Sequence, residues 1–131
     1  MAKLNYPEDL KYSKTDEWVR IEGNLATVGI SDYAQDQLGD IVYIELPWNA
    51  NENAVDEAKF GDIESVKATS ELLSPLSGKI VKVNANLKDT PELINDQPYE
   101  AGWMLVVEMS NQAELANLMS AQEYQQYIQG R

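Results

Sequence analysis

Lys67 is the residue whose surroundings best suit it for chemistry. It stands with Val66 between two strand-like segments, residues 60–65 and 68–73, which predicts a β-hairpin with the lysine at its tip. The opposed pairs in that register are Ser65 with Ala68, Ile63 with Ser70, and Gly61 with Leu72. Small residues beside the tip leave one primary amine clear of the body of the protein. A modifying enzyme needs this geometry to bring the amine to an activated acyl group.

A pair of carboxyl groups could run acid–base chemistry, and Asp or Glu oxygens could hold calcium or magnesium, so the composition does not exclude an enzyme. The chain has 0 Cys and 0 His, which excludes a disulfide, the usual zinc sites, and Cys-His or Ser-His-Asp nucleophiles. No segment matches a calcium-binding loop, a phosphate-binding loop or a dinucleotide fingerprint. Redox or group-transfer chemistry is therefore expected to need an attached cofactor.

The composition predicts one compact soluble domain. The 131 residues include 10 Lys and Arg against 22 Asp and Glu, and 44% of them are hydrophobic. A net charge of −12 without a basic cluster argues against nucleic acids and anionic membranes as partners. The longest apolar run, residues 103–107, is too short to cross a bilayer, and no signal peptide is recognisable. The expected location is the cytoplasm, or the mitochondrial matrix for a processed form.

The N-terminal half of the sequence reads as strands around one short helix. Residues 17–30 predict a hairpin that turns at residues 22–24. Ser31 is placed to cap a helix over residues 32–38, and Gly39 is placed to end it. Residues 40–46 are rich in side chains that favour β structure, so a strand is predicted there. Pro47 ends this strand, because it cannot donate a hydrogen bond to a sheet.

Strands and loops alternate in the second half of the sequence, and helices follow at its end. The polar residues 48–59 and 85–102 are expected to be loops, and residues 79–84 and 103–109 to be strands. Ser110 or Asn111 is placed to cap a helix that carries Leu115, Leu118 and Met119. Ser120 and Glu123 have the spacing of a capping box for a last helix. The predicted architecture is mostly β, with helices near the C-terminus.

Glu64, Ser65, Val66, Lys67 and Ala68, together with residues 74–78, form the most informative part of the sequence. These residues resemble the lipoyl-attachment region of the glycine cleavage system H protein family. Further matching segments follow in the family's order, at residues 17–19, 26–30, 33–35, 37–40, 45–47, 93–95, 98–99 and 102–103. The match covers about residues 10 to 128. Biotin carriers usually flank the lysine with Met, and acyltransferase lipoyl domains usually place Asp before it, so both fit less well.

The resemblance implies a fold and a role. The fold is a lipoyl-domain-like β-sandwich or flattened barrel with a hybrid hairpin motif, forming a single carrier domain over residues 1–131. Its β core spans about residues 10–109 and its C-terminal helical segment residues 110–129. The role is that of a non-enzymatic, monomeric carrier with lipoate bound covalently to Lys67 by a lipoate ligase or a lipoyl or octanoyl transferase.

The implied partners are three enzymes of the glycine cleavage system. Lipoyl-Lys67 would take an aminomethyl group from the glycine decarboxylase (P protein) to the aminomethyltransferase (T protein). Dihydrolipoamide dehydrogenase (L protein) would then reoxidise it. The family also has a cleft that shelters the loaded arm from water, and the matching positions are Thr15, Glu17 and Glu71. A carboxylate there could accept charge-assisted hydrogen bonds from a protonated amine.

Several positions depart from the family pattern. Asp16 stands where His is common, Thr15 where Ser is common, and Glu71 where Asp is common. Residues 48–59 lack the glycines usual in that loop, although Asn tolerates the same turns. Partner docking near residues 48–59 is therefore expected to differ from that of the family.

Three other readings stay open at the level of sequence. An H-like protein that relays lipoyl groups to other enzymes needs the same modified Lys67. An unmodified acidic interaction domain predicts that Lys67→Arg preserves function, whereas a carrier loses it. An acid–base enzyme that uses Glu17 and Glu71 predicts turnover by the isolated chain.

Overall fold

Two antiparallel β-sheets and several short helices make up the fold, as the sequence predicts. The computed structural model describes residues 4–48, 54–56 and 59–130. The strands are β1 Lys11–Tyr12, β2 Glu17–Glu22, β3 Leu25–Ile30, β4 Ile41–Glu45, β5 Ala54–Asp56, β6 Lys59–Ser65, β7 Thr69–Leu73, β8 Ser77–Val83 and β9 Leu105–Met109. The helices are α1 Asp32–Leu38, α2 Asn86–Asp89, α3 Leu93–Asp96, a 3₁₀-helix Gln112–Asn117, and α4 Ala121–Gln129.

The strands form one sheet of six and one of three. The larger has the order β1-β2-β3-β9-β8-β5, and the smaller has the order β4-β6-β7. The main core lies between them, because buried Val28 and Val107 of the larger sheet cluster with Ile44, Ile63 and Leu72 of the smaller. Burial of one face of each sheet produces the predicted sandwich.

The hairpin and helix predicted over residues 17–39 are confirmed. β2 and β3 pair from Glu17 with Ile30 to Glu22 with Leu25. The Oγ atom of Ser31 accepts a hydrogen bond from the backbone N–H of Ala34 at 3.1 Å, which caps α1. Gly39 ends α1 with a φ of 83°, a conformation that favours glycine.

The two predicted loops contain regular structure, so those predictions are wrong in part. Within residues 48–59, Ala54–Asp56 forms β5 and extends the edge of the larger sheet by pairing with β8. Residues 49–53 and 57–58 of that predicted loop lie outside the described residues. The segment 85–102 contains α2 and α3, each a single turn of four residues with no side-chain cap. Helices this short leave no readable periodicity in the sequence.

The C-terminal segment differs from the prediction at its first helix. Asn111 caps it, but the element is a 3₁₀-helix that ends at Asn117, and Met119 instead exchanges two backbone hydrogen bonds with Tyr12. The last helix, α4, has the predicted capping box between Ser120 and Glu123. It covers a second, aromatic cluster of buried residues: Leu10, Tyr12, Trp18, Tyr99, Ala121 and Tyr124.

Candidate functional site

The hairpin formed by β6 and β7 carries Lys67 at its tip in the predicted register. Ile63 pairs with Ser70 and Gly61 with Leu72. The turn is closed at Ser65, whose N–H donates to the carbonyl oxygen of Ala68 at 2.8 Å. Its Oγ atom accepts from the N–H groups of Ala68 at 3.0 Å and Lys67 at 3.3 Å. One hydroxyl therefore orders the backbone of the turn. The sequence predicts Ser65 only as part of the attachment motif and does not predict this role.

The amine of Lys67 is exposed at this tip. No described residue forms an ion pair or a hydrogen bond with it. Its aliphatic stem passes over Gly39, where a Cβ atom would lie 3.4 Å from Cε of Lys67. Gly39 directly follows Leu38, the last residue of α1, so the stem of Lys67 lies against the C-terminal end of α1. Glu64, Val66 and Ala68, the other residues of the attachment motif, are exposed around the tip.

A cavity of about 260 Å³ is lined by all three predicted cleft residues. Thr15, Glu17 and Glu71 line it together with Leu38, the last residue of α1. Its apolar wall comes from the main core, through Ile30, Leu38, Ile63 and Leu72. An elongated apolar group with a polar end fits such a cavity, because apolar contacts hold the chain and the polar groups orient its end.

Glu17 is the buried acid of the cavity. Its side chain is 1% exposed, and its Oε1 atom accepts hydrogen bonds from the hydroxyls of Ser13, at 2.8 Å, and Thr15. Ser13 Oγ also accepts from the backbone N–H of Glu17 at 3.0 Å, so it fixes both ends of the residue. Burial raises the pKa of Glu17 to about 7, although both hydroxyls act in the opposite direction. No local motif in the sequence predicts this role of Ser13.

Glu71 occupies a different environment from Glu17. It lines the cavity, but its side chain is 67% exposed and its Oε2 atom lies 3.4 Å from Nζ of Lys59. The same ammonium lies 2.9 Å from Oδ1 of Asp62, which is the cross-strand partner of Glu71. Lys59 thus offsets the repulsion between two opposed carboxylates. The two acids of the cavity are therefore one buried group and one solvated group.

A tyrosine hydroxyl from α4 connects the loop before β2 with the start of α1. Tyr124 is fully buried, and its hydroxyl donates to Oδ1 of Asp16 at 2.9 Å. The same hydroxyl is hydrogen-bonded to Oγ of Ser31, the cap of α1, at 2.7 Å. Asp16 lies between Thr15 and Glu17 and has a φ of 76°. Asp16 is therefore the acceptor that connects α4 to the cavity.

Neither a metal centre nor a membrane span is found in the part of the chain that the structure describes. No three Asp or Glu residues there are close enough together to bind a metal ion. None of the helices described has both the length and the hydropathy of a membrane span.

The comparisons with known proteins agree over nearly the whole chain. The family model described as glycine cleavage H-protein matches residues 10–131. The glycine cleavage system H protein of Oceanobacillus iheyensis is 50% identical over 96% of this chain and 99% of its own length. That of Halalkalibacterium halodurans is 52% identical over 95% and 96%.

A solved structure supports the same assignment. The crystal structure of a glycine cleavage system H protein from Mycobacterium marinum superposes with a TM-score of 0.84 at 34% identity. It is matched over 100% of its length and 96% of this chain. With the family model and the curated relatives, this confirms the predicted fold and family. The chain therefore belongs to the glycine cleavage H-protein family, whose members are non-catalytic carriers with lipoate attached covalently to a lysine.

Proposed function

We propose that Lys67 is the attachment site and that the whole chain, residues 1–131, acts as one lipoyl-carrier domain. The observation that carries the proposal is that the stem of the exposed Lys67 lies over Gly39, and that Leu38, the neighbour of Gly39, lines the cavity. Glu64, Ser65, Val66 and Ala68 present the amine. An arm attached at Lys67 enters the cavity along the C-terminal end of α1.

The bound lipoyl group supplies the sulfur chemistry that a chain without Cys lacks. The chain's own residues bind the arm, orient its end and protect that end from water. Ile63 and Leu72 provide a dry wall, which limits the access of water to the reactive end of the arm. Thr15, Glu17 and Glu71 provide the polar end of the cavity.

Glu17 is proposed to hold the amine of the aminomethyl cargo. Its Oε1 atom already accepts from Ser13 and Thr15, so the second carboxylate oxygen, Oε2, is the one proposed to receive a proton from the amine. A pKa near 7 lets the carboxyl group exchange that proton at little cost. The exposed Glu71 also attracts the amine of the cargo. This attraction is weaker than that of Glu17, because water and Lys59 screen it.

The proposed partners are those with which the family works. The P protein loads the carrier, the T protein unloads it, the L protein reoxidises it, and a lipoate ligase or a lipoyl or octanoyl transferase attaches the group. The relatives compared are bacterial, and the proposed location of this chain is the bacterial cytoplasm. A monomer is proposed, because a shuttle that visits several enzymes must keep its tip accessible.

The first test is the intact mass of the protein after incubation with a lipoate ligase, lipoate and ATP. Wild type is expected to gain one lipoyl group, and Lys67→Arg none, with unchanged thermal stability because the side chain is exposed. Lys79→Arg is the matched control, since Lys79 is an exposed strand lysine and should leave modification intact. A wild type that stays unmodified by a ligase active on another H protein would overturn the proposal.

The second test separates glycine cleavage from a lipoyl relay. The lipoylated chain is incubated with P protein and glycine, and the mass of the carrier is followed. Gain of the aminomethyl group supports the carrier role, and its absence with an active P protein favours the relay. Glu17→Gln is expected to be lipoylated normally but to lose the loaded group to water faster.

A further inference from the structure

An exposed apolar patch lies next to the lysine tip. Val42, Tyr43 and Val66 are 55%, 50% and 68% exposed, and among the described residues only Leu25 joins them as a large hydrophobic with comparable exposure. The register of β4 against β6 shifts between Ile41 and Tyr43, so Val42 is the extra residue of a β-bulge. A bulge turns two successive side chains outwards. Burial of Ile41 and Ile44 on either side leaves Val42 and Tyr43 facing solvent together.

Backbone contacts hold this patch against the tip. The N–H of Val66 donates to the carbonyl oxygen of Asp40 at 3.0 Å, and Ile41 is paired with Ser65. Val42 and Tyr43 are therefore one strand spacing, about 4.8 Å, from the strand that leads into Lys67. An enzyme that binds the amine of Lys67 in its active site must therefore approach Val42 and Tyr43 closely.

Acidic side chains surround the patch. Asp40, Glu45 and Glu64 are exposed, and Glu64 is the cross-strand partner of Tyr43. The hydroxyl of Tyr43 donates to Oε2 of Glu45 at 2.9 Å, which fixes the ring beside the acid. An apolar centre with a rim of one charge sign is typical of a binding surface for a partner of the opposite sign.

The geometry points to the tip patch, formed by Val42, Tyr43 and Val66 with the acidic rim Asp40, Glu45 and Glu64, as the docking surface for the enzyme that acylates Lys67. That enzyme would offer an apolar recess edged with Lys or Arg side chains. The inference rests on the proposed attachment at Lys67 and adds the surface that selects the enzyme.

The chemistry of attachment singles out this occupant. Nζ of Lys67, after losing a proton to solvent, attacks the carbonyl carbon of a lipoyl adenylate; the amide C–N bond forms, the acyl C–O bond breaks, and AMP leaves. The amine itself must reach that carbonyl, so the enzyme must contact the residues around the tip. Later partners receive the far end of a long arm and can bind at a greater distance from the tip.

The test compares a double variant, Val42→Ser with Tyr43→Ser, against Leu25→Ser. All three residues are exposed, and Leu25 lies at the start of β3 in the other sheet, so the folded state is retained. Initial rates of modification are measured by intact mass against carrier concentration, with lipoate ligase, lipoate and ATP. The double variant is expected to lose about tenfold or more in kcat/KM through a raised KM, and Leu25→Ser to stay within about twofold.

Ionic strength provides an independent arm of the test. The kcat/KM of wild type should fall between about 50 mM and about 300 mM salt, because screening weakens attraction between exposed charges. Asp40→Asn with Glu45→Gln should be slower at low salt and should show a shallower decline. Both residues lie outside the attachment motif, so the chemistry at Lys67 is unchanged.

Each failure has a distinct result. If wild type is modified at Lys67 and the double variant has the same kcat/KM, or loses kcat alone, the surface assignment is wrong while the carrier function stands. If the double variant is modified normally but loses loading by P protein, the patch belongs to a later partner and the inference is overturned. If wild type itself is not modified, the proposed function fails and this inference fails with it.

Discussion

Glu17 makes folding stability depend on pH. Its pKa rises from 4.5 to about 7 on folding, mainly through burial. Below pH 4.5 both the folded and the unfolded states hold the proton, so its contribution to stability is fully present. Between pH 4.5 and about 7 the unfolded state releases this proton while the folded state keeps it on the buried carboxyl group, so about 3 kcal/mol of that contribution is lost, and the loss is complete once the pH has passed about 7.

Glu17→Gln should remove this dependence. The free energy of unfolding, measured by urea titration, should fall for wild type relative to the variant by about 3 kcal/mol between about pH 4.5 and about pH 8. Glu71→Gln is the matched control, since Glu71 is exposed and its replacement should leave the pH profile parallel to that of wild type. Parallel profiles for Glu17→Gln and wild type would contradict the assignment.

The residues of the site were predictable to different degrees. Lys67 and its neighbours form a local motif, and Thr15, Glu17 and Glu71 come from the resemblance to the family. Ser13 and Tyr124 did not stand out, because their roles arise from contacts that only the fold creates. Tyr124 lies 108 residues from Asp16, a separation at which sequence alone shows no pairing signal.

At the level of elements, α4 holds the cavity together through Tyr124. Tyr124→Phe removes the hydroxyl that donates to Asp16 and accepts from Ser31, which should cost about 1–3 kcal/mol of folding stability. Amide hydrogen exchange of α1 and of Asp16 should accelerate more than exchange in β8. Tyr127→Phe, on the more exposed side of α4, should change stability by less than about 0.5 kcal/mol.

Gly61 sets how closely β6 approaches β4. A Cβ atom there would lie 2.2 Å from the carbonyl oxygen of Glu45, and backbone cannot yield as a flexible side chain does. Gly61→Ala should therefore destabilise the fold by about 2–4 kcal/mol and displace the hairpin that carries Lys67. Thermal unfolding measures the loss, and Gly130→Ala is the matched control, because the nearest atom to a Cβ there is 3.6 Å away and its φ of −82° suits any residue. A variant as stable as wild type would refute the close packing.

The elements that the sequence predicts well are those with local signals. The β2–β3 hairpin has a turn sequence, α1 has both caps, and α4 has a capping box. The sequence does not predict β5, because three residues become a strand only by pairing with β8. It does not predict α2 and α3, because single helical turns have no periodicity. In each case non-local contacts decide the structure.

At the scale of the whole molecule, charge repulsion works against the folded state. There are 22 acidic and 10 basic residues, and the ion pairs recorded for the described residues all involve Lys59. Screening should therefore stabilise the protein, and its thermal midpoint should rise by a few degrees between low salt and about 0.3 M potassium chloride. Scanning calorimetry at constant pH measures this, and a midpoint that falls with salt would show that favourable ion pairs dominate.

The place of β9 between β3 and β8 has a consequence for synthesis in the cell. Both halves of the larger sheet are translated before the strand that joins them, since β9 is Leu105–Met109 and its partner β3 begins at Leu25. The smaller sheet also lacks part of its opposing layer until Leu105 and Val107 are in place. The lysine hairpin thus leaves the ribosome well before it can become rigid. If the attachment proposed at Lys67 requires an ordered tip, it would take place after translation, once the last strand has folded into the sheet.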